Sequence, residues 1–281
     1  MFTTAGDCRR LVDLAESNGI ESVWAVEHVL TPAKVSTRYP YTDSGALNGL
    51  SEATLCDPVV WLSFMAGIST TLRLGTGILI LPQRHPAYVA KEWATLDRLS
   101  GGRAMLGVGL GWLAEEMEAL GVPFAERAAR TEESIAAIRT IWASQPSTFR
   151  GRFYQWEDMI SNPGPVQRPG VPILVGGHSP AAARRAARLG DGFFWPGSMN
   201  SSLHAPGDDK VLAELLDTLR TECDLIGRDP REVEVTVGVN NASVGDVERL
   251  RAAGVSRIVV NPGSAAKVAG RVAQFREFVA L

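Results

Sequence analysis

A few short runs carry residue types able to do chemistry, and each stands where an apolar stretch gives way to polar or glycine-rich sequence. They are Glu27-His28, Thr76-Gly77-Ile78, Gly107-Val108-Gly109-Leu110-Gly111-Trp112, Gly176-Gly177-His178-Ser179-Pro180 and Trp195-Pro196. The fourth is the most informative. Its glycines let a backbone approach a ligand closely, and Ser179 and Pro180 suit the N-cap and first position of a helix. The free N–H groups and dipole of such a terminus attract an anion, a phosphate for example. The same run also suits a tight turn with a serine cap.

The glycine run at 107–111 departs from G-x-G-x-x-G, and no acidic residue ends a second strand about twenty residues on. It is therefore not a dinucleotide fingerprint. Bare backbone at Gly109 and Gly111 suits close packing of a planar ring instead. His28 is one of four histidines. Imidazole titrates near neutrality, so His28 suits a general acid/base, though a hydrogen-bonded structural histidine would read the same way. His85 serves a helix start before Pro86, His178 can touch a ligand edge, and His204 lies in a polar loop. No histidine pair has metal-ligand spacing and no H-E-x-x-H occurs, so no metal is expected. A serine-nucleophile elbow, G-x-S-x-G, is also missing. Of seven tryptophans, Trp112 and Trp195 follow strands and are the two expected near a ligand.

These runs need a scaffold that brings strand ends together. Helix and strand patterns alternate almost throughout, without a linker or composition break, so residues 1–281 read as a single domain. Strands are expected near residues 20, 72, 104, 172, 192, 233 and 257, with a small hairpin at 149–156. Apolar strands joined by helices imply a parallel sheet with right-handed crossovers. An open doubly wound sheet is possible, but the unusual residues all follow strands, which favours an α/β fold of the TIM-barrel type with its site at the C-terminal mouth.

Composition narrows the class. The chain has 281 residues with 28 Lys+Arg against 31 Asp+Glu, a formal charge of −3 that gives no reason to expect nucleic acid or an anionic membrane. No apolar run approaches the roughly 20 residues of a membrane span, and the N-terminus lacks a signal-peptide pattern. Cys8, Cys56 and Cys223 match neither a disulfide framework nor a zinc site, and they read as thiols of a cytoplasmic protein.

Taken in order, Gly75–Pro86 (GTGILILPQRHP), Ala94–Arg103 (ATLDRLSGGR), Gly107–Trp112, Glu115-Glu116 with Leu120-Gly121, and Val175–Ser179 resemble the luciferase-like monooxygenase superfamily. The Tyr39-Pro40-Tyr41-Thr42-Asp43 segment is similar to branches that use the deazaflavin coenzyme F420, while FMN-dependent relatives share the scaffold. The resemblance implies a TIM (β/α)8-type barrel with insertions, holding a deazaflavin or flavin ring in its mouth. It implies a non-proline cis peptide within Thr76-Gly77-Ile78 behind the ring, a phosphate at Gly176, Gly177, His178 and Ser179, and Glu27 as a cofactor contact. His28 would act at the reacting carbon, and the loop bearing Tyr39 and Tyr41 would cover a small-molecule substrate beside Trp112 and Trp195. Trp112 stands where sugar-phosphate dehydrogenases of the superfamily carry a catalytic Glu, which points away from that reaction.

The resemblance thus implies hydride transfer with F420, or monooxygenation with FMN supplied by a separate reductase. A ligand-binding barrel without turnover is the reading from another class. Family members commonly form homodimers. One feature departs from the pattern: only seven barrel strands are found, because the strand before the first helix is missing from the chain. Either the chain continues upstream of Met1, the alternative taken here, or the barrel keeps a gap that exposes strand edges.

Overall fold

The computed structural model describes residues 2–40, 44–45, 49–197, 208–239 and 243–279. The first half runs α1 (Ala5–Ser17), β1 (Ser22–Ala25), α2 (Pro58–Ile68), β2 (Arg73–Thr76), β3 (Leu79–Ile80), α3 (Pro86–Ser100), β4 (Ala104–Gly109), α4 (Ala114–Ala119) and α5 (Arg127–Ala143). The hairpin β5 (Ser147–Arg150) and β6 (Gln155–Met159) follows. The second half runs β7 (Ile173–Gly176), α6 (Pro180–Leu189), β8 (Gly192–Trp195), α7 (Asp208–Leu225), β9 (Glu234–Val239), α8 (Val244–Ala252), β10 (Arg257–Val260) and α9 (Val268–Val279).

Seven strands form a nearly closed parallel barrel in the order β1-β2-β4-β7-β8-β9-β10, with β3 added against the end of β4. The strands fall at the positions expected from sequence, with one difference. The apolar run 72–81 is not one strand but two short ones, separated by a bulge at Gly77-Ile78. Before the bulge, Leu74 and Gly75 pair with the start of β4; after it, Leu79 and Ile80 pair with its end.

Local chemistry sets the helix starts as the capping rules require. Asp57 accepts from Val60 N ahead of Pro58, Ser179 accepts from Ala182 N ahead of Pro180, and His85 Nδ1 accepts from Ala87 N ahead of Pro86. α1 buries Cys8, Leu11, Val12 and Ala15 on one face.

Strand alternation divides the core. Phe193, Trp195, Leu62, Trp93 and Ile138 pack between sheet and helices, whereas Met105, Leu174 and Phe194 fill the lumen with Trp24, Ile78 and Val259 against them. β1 and β10 end the sheet's path. Arg257 of β10 reaches across to Glu21, just before β1, with its Nε donating to Oε2 at 2.6 Å and its Nη2 to Oε1 at 2.8 Å. Among the described residues no helix is long and apolar enough to cross a membrane.

Candidate active site

The chemistry-bearing runs meet at the C-terminal mouth of the strands, and the bulge after β2 is their centrepiece. Thr76 is fully buried and its hydroxyl donates to Gly107 O at 2.7 Å, while Gly77 N donates to Ala25 O at 2.7 Å. The Gly77–Ile78 peptide is cis, within the three residues expected to hold such a bond. Ile78 then lies over two neighbouring strands. A methyl group at Gly109 would come within 2.6 Å of Ile78 Cδ1, and one at Gly176 within 2.7 Å of Ile78 Cγ2. At Gly111, whose φ is +77°, it would meet Ile80 Cγ2 at 2.7 Å. Glycine at 109 and 111 therefore makes room for the chain's own isoleucines. This corrects the expectation that bare backbone there lies open for a planar ring.

Glu27, expected to touch a cofactor, is buried and fully engaged by the chain itself. Its Oε2 accepts from Ile80 N at 2.7 Å and its Oε1 from Arg84 Nε at 3.1 Å and Nη2 at 2.6 Å. Burial pushes its carboxyl up against the pull of Arg84. Glu27 thus pins the segment that leaves the bulge, and Arg84 ties it on to Asp57 at 2.9 Å.

The turn from β7 into α6 has the form of an anion cradle. Gly177 has φ +153°, and a methyl group on it would press to 2.5 Å from Ala182 Cβ, so only glycine fits without distortion. Gly177 N is used on Phe194 O, and Ser179 O accepts from Ala182 N and Ala183 N. The N–H groups of Ser179 and Ala181 make no hydrogen bond among the described residues and head the ten-residue α6. His178 is exposed beside them, and partial desolvation by its neighbours pushes its imidazole down.

Across the mouth, His28 sits in an aromatic and acidic setting. Its Nδ1 lies 2.7 Å from Glu116 Oε2, and Glu116 Oε1 accepts from Val29 N at 2.6 Å and Leu30 N at 3.2 Å. Glu116 is buried; burial alone would raise its carboxyl, but His28 and the two N–H groups outweigh that and hold it below the ordinary range. Next to it, Glu115 Oε1 accepts from Ser36 N and Thr37 N, and its Oε2 from the Thr37 hydroxyl at 2.5 Å. The Thr37 hydroxyl chiefly, with those N–H groups, holds the Glu115 carboxyl at about 2. Trp112 meets His28 edge-on at 5.8 Å between ring centroids, and Tyr39 meets Trp112 at 4.8 Å.

Sequence reasoning missed Glu116 as a partner of His28. A signal existed: Leu113, Glu116, Met117 and Leu120 share one helical face, which sets a glutamate among apolar neighbours. Trp195 is a second correction. The alternation of β8 turns it, with Phe193, into the layer between sheet and helices, and Phe194 faces the lumen instead. There Phe194 stacks on Trp24 at 5.5 Å, and both line a cavity of 1190 Å³ that runs between β1 and β10 and reaches Gly77 and Pro196 at the mouth. Tyr41 and His204 lie outside the described residues.

The family model for luciferase-like monooxygenases matches residues 3–278. The uncharacterized protein Rv0940c of Mycobacterium tuberculosis is 33% identical over 251 residues, covering 89% of this chain and 83% of that one. An F420-dependent glucose-6-phosphate dehydrogenase of Kineococcus radiotolerans is 31% identical over 229 residues, 80% of this chain and 60% of its own. An FMNH2-dependent dimethylsulfone monooxygenase of Pseudomonas putida is 33% identical over 205 residues, 72% of this chain and 51% of its own. Two solved structures share the fold. The monooxygenase RslO1 from Streptomyces bottropensis has a TM-score of 0.75 at 23% identity, with 98% and 94% of the two chains covered. The coenzyme F420-dependent tetrahydromethanopterin reductase from Methanopyrus kandleri has a TM-score of 0.75 at 16% identity, with 98% and 95% covered.

Proposed function

The chain belongs to the luciferase-like monooxygenase family, and from that premise we propose that it is an oxidoreductase working with coenzyme F420 on a small organic substrate at the barrel mouth. The observation that carries this reading is the meeting of two cofactor-sized features at one mouth, the bulge after β2 and the turn after β7, on either side of β4. The Ile78 bulge packs directly against Gly176, the residue that opens the cradle at the head of α6. A ring bearing a phosphorylated side chain fits that pairing: the ring against Gly77 and Ile78, the phosphate on Ser179, Ala181 N and the dipole of α6. Thr76, Gly109 and Gly111 support the bulge from below, Glu27 holds its exit through Ile80 N, and His178 borders the phosphate.

Bound there, the deazaflavin supplies a two-electron hydride donor or acceptor. The chain supplies orientation and a proton. His28 gives or takes that proton at the substrate, with Trp112 and Tyr39 as an aromatic wall beside it. Val29, Leu30 and Val35, all exposed on the loop after β1, give the rim an apolar character suited to a hydrophobic or conjugated substrate. Positioning of this kind contributes rate by holding the reacting atoms in line. The similarity to an FMNH2-dependent monooxygenase over 72% of the chain favours a second reading, in which the same mouth takes reduced FMN from a separate reductase.

Equilibrium titration of the purified protein with F420 and with FMN tests the proposal. Saturable F420 binding much tighter than FMN binding is expected. Tight FMN binding without F420 binding would select the second reading, and binding of neither would sink both.

A further inference from the structure

We propose that Glu116 is a positioning residue that fixes the proton of His28 on Nδ1 and leaves Nε2 as the ring nitrogen available for chemistry. The argument is one of donors and acceptors at a single buried carboxylate. Oε1 is already the target of two main-chain donors, Val29 N at 2.6 Å and Leu30 N at 3.2 Å. Oε2 faces Nδ1 of His28 at 2.7 Å. An ionised carboxylate has no hydrogen to give, so Nδ1 must be the donor and a neutral ring must have its lone pair on Nε2. The partners are 88 positions apart in sequence, and Glu116 is only 1% exposed, so the contact is made by the fold and shielded from competing water.

The same count predicts what an isosteric change does. In Glu116→Gln the amide oxygen must take the place of Oε1, because the two main-chain N–H groups point there. The amide NH2 is then forced opposite Nδ1. Two donors cannot face each other in a buried site without a large penalty, so the imidazole answers by moving its proton to Nε2. A change of one atom at Glu116, with no change of shape, thus converts Nε2 of His28 from acceptor to donor. Glu115 is the built-in comparison: it is adjacent, but its carboxylate holds Ser36 and Thr37 and does not touch His28.

The importance of this proton to turnover rests on the oxidoreductase reading above, but its location does not. Long-range 1H–15N correlation spectra of the labelled protein, with His28 assigned by its loss in His28→Ala, report which ring nitrogen is protonated. With the His28 ring neutral we expect Nδ1–H in the wild type and in Glu115→Gln, and Nε2–H in Glu116→Gln. Nε2–H in the wild type, or one unchanged tautomer in Glu116→Gln, overturns the proposal. Should Glu116→Gln fail to fold, the wild-type spectrum alone decides. With F420 and substrate, turnover of Glu116→Gln should fall by the same ~10²–10⁴ as that of His28→Ala, with KM little changed. A protein that binds no cofactor fails the functional reading and leaves the tautomer result standing.

Discussion

The two sides of the barrel mouth are built by opposite means. On the β7 side, the cradle at Gly176–Ser179 is made by backbone and the Ser179 cap, from residues adjacent in sequence, and its shape follows from one glycine and that cap. On the β1 side, His28 is set by side chains from α4 and by Trp112, all some 80 or more positions away. The backbone site suits an anion of any kind, because a helix terminus has little else to read. The side-chain site can discriminate and move protons, since a titratable ring, a carboxylate and two aromatic rings share it. Under the proposed function a division of labour follows: one side would anchor, the other would react.

The sharpest way to break that division is His28→Ala. If the β1 side reacts without anchoring, turnover falls by ~10²–10⁴ while the equilibrium affinity for the cofactor stays within about twofold. A loss of affinity as large as the loss of rate would show that His28 anchors as well, and the comparison would collapse.

The reciprocal change is Gly177→Ala. The added methyl group would meet Ala182 Cβ at 2.5 Å at a φ of +153°, so either the turn or the head of α6 must shift. Overpacking and backbone strain of this kind cost about 1–3 kcal/mol, measurable as a lower denaturation midpoint. A distorted cradle should also weaken binding of F420 by about tenfold or more relative to its phosphate-free deazaflavin chromophore. Equal weakening of both ligands would place the phosphate elsewhere.

The same contrast explains what was legible in the sequence. The cradle could be read because G-G-x-S-P acts over five neighbouring residues, and the caps at Asp57, His85 and Ser179 are equally local. The seven strands followed from apolar runs bounded by turn residues, and the bulge site from a resemblance carried by its own segment. What escaped was non-local or depended on phase. The short run Gly192–Trp195 does not reveal which of Phe194 and Trp195 faces the lumen, since a slip of one residue exchanges them. That Gly109 and Gly176 make space for Ile78 required knowing which strands adjoin. The family resemblance implies a ligand contact at Glu27, yet successive residues leave a strand end in opposite directions, and its carboxylate turns to Ile80 and Arg84.

The smallest effect, and the one most specific to the side-chain half, is a dependence on acid. Glu115 has an ordinary value of 4.5 and is held at about 2 by the Thr37 hydroxyl and the N–H groups of Ser36 and Thr37. The folded state therefore binds this proton less readily than the unfolded one. Its contribution is fully present above about pH 4.5 and is lost as pH falls toward 2. Glu16 also lies at about 2, through Thr70, Thr71 and Leu72 ahead of β2, so global acid unfolding reports both carboxylates together. Amide hydrogen exchange separates them. Between pH 4.5 and 2, after correction for the intrinsic rate, protection at Ser36 and Thr37 should fall in the wild type. In Glu115→Gln it should start lower and stay flat, while Gly177 N, bonded to Phe194 O in the backbone half, keeps its protection in both proteins. If Ser36, Thr37 and Gly177 lose protection together along one acid curve, the two halves open as one unit and the contrast between them is structural only.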